Sequence, residues 1–111
     1  MRDQYAGDIS DYIKFSFLQA VVPKDVMLGI AWYYVQGNDG RPDGRHTEYC
    51  SEDKWQTLDE HLHSKLCGLT VRSIHALEQL PIWNSATVFH GTPLNGVHDR
   101  EKWADEMCSN L

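Results

Sequence analysis

The chain has 111 residues, 41% of them hydrophobic, which is enough to bury one core and too few for two, so a single domain spanning 1–111 is expected. Its net charge of -6 argues against direct nucleic-acid binding, which rests on clustered Lys and Arg that displace counterions. The longest apolar run, 26–35, is far short of the roughly 20 residues a membrane-spanning helix needs, and Arg2, Asp3 and Gln4 open the chain without a signal-peptide pattern, so a soluble, cytoplasmic protein with no membrane partner is expected.

Asp8 precedes a helical pattern in which Ile13, Phe17, Ala20 and Val21 recur on one face, and Asp11 stands three residues after it in a capping-box arrangement. The spacing predicts a helix over 9–21, ended by Pro23, with that face inward. The run 26–35 predicts a central strand buried on both faces. The stretch 36–45 carries Asp39-Gly40 and Asp43-Gly44 turn signals and no apolar anchor, which marks an exposed loop at the strand's carboxyl end, where ligand sites gather in open α/β sheets. The segment 47–50 reads as a short turn or extended piece.

Ser51 predicts the cap of a second helix through Trp55, Leu58, Leu62 and Leu66, stopped by Gly68. Thr70 predicts the cap of a third, with Val71, Ile74 and Leu77 on one face and Pro81 beyond it. A short strand over 86–90 and a final helix over 97–108, with Trp103, Ala104 and Met107 inward, complete the pattern. The fold class is α/β, a small parallel sheet of two or three strands flanked by about four helices, with a right-handed crossover and strand edges that need cover.

Cys50, Cys67 and Cys108 are odd in number and far apart, which suits neither a disulfide framework nor a paired zinc knuckle and fits a reducing cytosol. Cys67 and His63 stand four apart, yet a helix C-terminus raises a thiol pKa, so packing is the expected role of Cys67. His61 and His63 point to different faces and are expected on the surface, and His75 at a boundary. His90 and His98 with Cys50 or Cys108 match no zinc spacing, so no metal is expected there. The one basic grouping, Arg41 with Arg45, reads as a solvated loop. Nucleotide-binding, nucleophile-elbow and CxxC signatures are absent.

The opening Tyr5-Ala6-Gly7-Asp8-Ile9-Ser10-Asp11-Tyr12-Ile13-Lys14, followed by Phe17-Leu18, resembles the start of a family of bacterial proteins that open YxGDIxDYxKYxLL. The likeness continues through Leu28-Gly29-Ile30-Ala31-Trp32-Tyr33, Asp43-Gly44-Arg45-His46 with Tyr49, Leu80-Pro81 and Arg100-Glu101-Lys102-Trp103. It covers nearly the whole chain and departs from the pattern at Gln19, where the family has an arginine. The resemblance implies an α/β fold and longer relatives whose second half carries a DPDNG-like sequence of methyltransferase or nuclease type. That sequence is not present here, so the chain is expected to stop after the Trp103 helix, one strand short of the family's site.

Two functional expectations follow. In the first, the chain is a small acidic, non-enzymatic binding module without a cofactor, in the manner of a phage or mobile-element inhibitor of a bacterial defence or nucleic-acid-handling complex. It would engage another protein's basic surface through Asp99, Glu101, Asp105 and Glu106, with Asp39 and Asp43, or form a homodimer through a sheet edge. In the second, Asp8 and Asp11 hold Mg²⁺ while Lys14, Arg45 and His46 neutralise a phosphate in nucleic-acid or nucleotide processing. Capping alone also accounts for Asp8 and Asp11 at a helix start, and solubility for the acidic faces.

Overall fold

The computed structural model describes residues 1–37, 40, 46–96 and 99–111. The first helix, α1, spans Ile9–Val21, and Asp8 caps it by accepting from the amides of Ser10 at 3.0 Å and Asp11 at 3.3 Å. Its inward face differs from the expected one. Tyr12 and Phe15 are buried with Asp8 and Asp11, whereas Ile13, Phe17 and Val21 point to solvent, 52%, 63% and 53% exposed. Apolar residues lie on both sides of this helix, so spacing alone did not choose between them. The aromatic pair wins because it has partners: Phe15 packs edge-on against Trp32 and Trp83 with ring centroids 6.3 Å and 5.1 Å away, and Tyr12 packs on Tyr49 and Trp55.

Strand β1, Gly29–Ala31, pairs in parallel with β2, Val88–His90, in the register Gly29↔Val88, Ile30↔Phe89, Ala31↔His90. The long doubly buried strand expected over 26–35 is therefore corrected to three residues, with Val26 and Met27 exposed before it and Tyr33 half-exposed after it. A tight turn ends the strand, for the Tyr34 amide donates to the Trp32 carbonyl at 2.7 Å. Beyond it the Val35 amide donates to the Met1 carbonyl at 2.8 Å, and the Met1 amino group to the Tyr33 carbonyl, so Met1 is held beside the segment that follows the strand.

The pleat sorts the side chains between the sheet's two faces. Trp32 and Phe89 stack at 6.2 Å on the side of Phe15 and Trp83. On the other side the last helix, α5, Arg100–Asn110, places Trp103 against Tyr33 and His90, with ring centroids 5.2 Å and 5.1 Å away. The Trp103 indole N–H donates to the Thr92 carbonyl at 2.7 Å, and a side chain at Gly29 would meet Leu111 at 3.3 Å. The sheet is thus the middle of three layers, with α1 on one face and α5 on the other.

The expected second helix is two. Helix α2, Asp53–Gln56, has no side-chain cap, so Ser51 does not start it. Helix α3, Glu60–Cys67, restarts at Asp59, whose carboxylate accepts from the Leu62 amide at 3.0 Å. Leu58, in the break, faces solvent. Helix α4, Ile74–Glu78, is capped by Ser73 and not Thr70, leaving Val71 exposed while Ile74 and Leu77 enter the core. Segment 47–50 falls in a 3₁₀ turn, Glu48–Ser51, that buries Tyr49. The cysteine reading is also corrected: Cys50 and Cys67 form a disulfide, because the 3₁₀ turn folds back onto the end of α3 and brings their Cα atoms to 5.7 Å. Cys108 is free and exposed.

Candidate functional site

The head of α1 is where the candidate site residues assemble. Gly7 turns the chain into the helix at φ +80°, a left-handed conformation that favours glycine, and a Cβ there would sit 3.0 Å from Leu69. Its amide donates to Asp11 Oδ2 at 2.8 Å, one residue further back than a capping box reaches, and its carbonyl accepts from the Tyr49 hydroxyl at 2.8 Å. Arg72 Nε donates to the neighbouring Ala6 carbonyl at 2.7 Å. Both carboxylates take part in local hydrogen bonds: Asp8 Oδ1 serves two amides and the Ser10 hydroxyl, and Asp11 holds Gly7 and, at 3.4 Å, Lys14.

Burial sets the electrostatics. Asp11 is 1% exposed, and desolvation raises its pKa against the lowering pull of the Gly7 amide and Lys14. Tyr49 is raised strongly by its own burial and by the nearby charges of Asp11 and Asp8. Lys14 reaches solvent beyond Asp11.

Of the partners expected from the loop, His46 does come close, since its carbonyl accepts from the Ile9 amide at 3.0 Å, and its residue is exposed. Arg45, Arg41, Asp39, Asp43 and His98 lie outside the described residues. Asp99, Glu101 and Asp105 are exposed on the outer side of α5, with Glu106 partly covered. Among the described residues no three His, Cys, Asp or Glu side chains gather as metal ligands. Cys50 is held in the disulfide, and His90 is buried with Nδ1 3.3 Å from the Asn110 amide and Nε2 without a hydrogen-bond partner.

His61 is exposed as expected, and His75 lies on the surface 3.9 Å from Glu78. His63 is buried instead, because its Nε2 meets the Tyr49 carbonyl at 3.1 Å and its ring packs on Tyr12 and Tyr49. At the carboxyl end of the sheet a 460 Å³ cleft includes Asp3, Tyr34, His75, Glu78 and Thr92. Its two acids are structural, Asp3 accepting from the Tyr34 hydroxyl at 2.7 Å and the Ile74 amide at 2.9 Å, and Glu78 from the Trp32 indole at 2.8 Å.

The surface that sequence reasoning missed is apolar. Ile13, Phe17, Ala20 and Val21 form a continuous outward stripe on α1, directly opposite Tyr12 and Phe15. At the C-terminal end of the same helix Leu18, Val22, Val26, Leu28, Ile82 and Trp83 line a 410 Å³ cleft. The available signal was that α1 carries apolar residues all round, a pattern of helices covered on every side. No helix among the described residues is long and apolar enough to cross a membrane.

Compared with known proteins, the chain matches no family model, no curated protein and no solved structure.

Proposed function

We propose that this chain is a small, acidic, non-enzymatic protein-binding module that docks through the outward face of α1. The observation that carries the reading is the exposure of Ile13, Phe17 and Val21 on a helix whose charged side chains are confined to Asp11, buried, and Lys14. Exposed apolar patches of this kind mark interaction sites, and the spacing matches a helix held in a partner's groove at i, i+4 and i+7 or i+8. A groove is favoured over an identical helix: α1 is about 20 Å long, and two convex helices in contact bury far less than the ~800 Å² per partner of a standard interface.

On the opposite side of the sheet, the acidic surface of Asp99, Glu101, Asp105 and Glu106 would steer the module toward a basic protein, such as one that handles nucleic acid. In this reading the module acts in the cytoplasm, as a phage or mobile-element inhibitor of a bacterial defence complex would. A homodimer through a sheet edge is a further arrangement that a two-stranded sheet permits.

One observation favours a metal-dependent enzyme instead. The His46 carbonyl accepts from the Ile9 amide at the head of α1, where Asp8, Asp11 and Lys14 stand, and in this second reading His46 and its sequence neighbour Arg45 would join a Mg²⁺-bound phosphate there.

Affinity purification from producing cells, with nuclease treatment, separates the two. The expected result is a stoichiometric protein that survives nuclease, is lost with Phe17→Asp, is kept with Asp11→Asn, and rebinds the purified chain in calorimetry. A partner set indifferent to Phe17→Asp, or Mg²⁺-dependent nucleic-acid cleavage lost in Asp11→Asn, would overturn the binding reading.

A further inference from the structure

The Cys50–Cys67 disulfide does not lie sealed in the core. Both cysteines are partly buried and line a cleft of about 260 Å³ with Gly7, Thr47, Leu69 and Arg72. At ~30 Å³ per water that is room for roughly eight or nine waters, or for the cysteinyl part of a small peptide thiol. Among the described residues, Arg72 is the charged side chain that lines this wall, its Nε donating to the Ala6 carbonyl. His63 Nε2 lies 3.8 Å from Cys67 Sγ, and because the same nitrogen faces the Tyr49 carbonyl, which only accepts, Nε2 carries the ring proton. A donor therefore already stands beside one sulfur of the pair.

We infer that the Cys50–Cys67 bond is a thiol-exchange site that takes a small anionic monothiol of the glutathione type, forming a mixed disulfide at Cys50. Arg72 draws the anionic thiol into the cleft. Its thiolate attacks Cys50 Sγ, the Cys50–Cys67 bond breaks as the new S–S bond forms, and Cys67 leaves as a thiolate. The His63 N–H turns from the Tyr49 carbonyl to that thiolate, which then takes a proton from solvent. His63 offsets the unfavourable C-terminal end of α3 at which Cys67 sits. A second thiol attacking the mixed disulfide releases the thiol's own disulfide and leaves Cys50 and Cys67 reduced, so two thiols are oxidised for one protein disulfide reduced. The inference is independent of the docking reading.

The test uses the full chain, oxidised, with Cys108→Ser to silence the exposed free thiol. After incubation with reduced glutathione, acid quench and alkylation, peptide mass spectrometry should find glutathione on Cys50 and the alkylating label on Cys67. Arg72→Gln should slow adduct formation by glutathione several-fold and leave the rate with neutral 2-mercaptoethanol unchanged. His63→Gln, which keeps an N–H donor, should preserve attack at Cys50. Glutathione on Cys67, an equal loss with both thiols in Arg72→Gln, or exchange only at denaturant concentrations that unfold the chain would overturn the inference. So would a chain whose Cys50 and Cys67 stay reduced in glutathione disulfide.

Discussion

The Tyr12 hydroxyl occupies the break between α2 and α3, accepting from the Asp59 amide at 3.0 Å and donating to the Trp55 carbonyl. It bonds the backbone groups on either side of the point where a continuous helix would have run, and Asp59 then caps α3. Tyr12→Phe keeps the ring in place between Tyr49 and Trp55 but leaves the Asp59 amide without its partner. The bond is partly buried, and a lost hydrogen bond of this kind costs about 1 kcal/mol, so chemical denaturation should show a loss of that size, with faster hydrogen exchange at the Asp59 amide.

Asp11 separates a hydrogen-bonding role from a charge role. Asp11→Ala strips the Gly7 amide of its acceptor in a buried turn and should cost about 2 kcal/mol, whereas Asp11→Asn retains an oxygen for Gly7 and should cost much less. The folded-state pKa of Asp11 is raised, chiefly by burial, so the folded chain binds this proton more tightly than the unfolded one. Its contribution is therefore favourable below the unfolded pKa and is lost as pH rises through the folded pKa. Relative to Asp11→Asn, the wild type should lose stability across that window from acid toward neutral pH. A constant or opposite difference in urea denaturation would contradict the raised pKa.

Much of the fold was legible in local signals. Asp8 and Pro23 bracketed α1 at the bounds the structure has, the strand order and parallel pairing followed from the alternation of elements, and Trp103 faced inward as its spacing required. What was not legible depended on distant partners. The face of α1 was decided by Trp32 and Trp83 meeting Phe15, and the helix break by a hydroxyl 47 residues away. His63 was read as surface because its acceptor, the Tyr49 carbonyl, belongs to a turn with no periodic pattern. At the head of α1 the capping role of Asp8 was legible in the sequence, but only the geometry shows the Gly7 amide bonded to Asp11 and the Ser10 hydroxyl to Asp8.

The orientation of α1 makes two phenylalanines two residues apart behave oppositely. Phe15 is 3% exposed within an aromatic cluster, so Phe15→Ala should cost about 3–5 kcal/mol. Phe17 is 63% exposed, so Phe17→Asp should fall within about 0.5 kcal/mol of the wild type. Thermal and urea unfolding of both variants decide the helix's orientation independently of any partner. A destabilised Phe17→Asp with a tolerated Phe15→Ala would mean that α1 is rotated by half a turn.

The disulfide ties the Tyr49 turn to α3 across a sequence separation of 17 residues. Closing a loop of that size removes enough unfolded-chain entropy to contribute about 3 kcal/mol, a large share of the roughly 5–15 kcal/mol that a domain has in total. Replacing both Cys50 and Cys67 by Ser should lower the unfolding free energy by that amount under oxidising conditions. The wild type in excess reductant should fall to nearly the same value, because opening the bond and deleting it free the same loop. The Tyr49 hydroxyl and His63 ring still anchor the turn in both cases, through Gly7 and the Tyr49 carbonyl, so the chain should remain folded. If reductant left the wild type's denaturation midpoint unchanged while free-thiol titration showed all three cysteines reduced, the bridge would add nothing to stability.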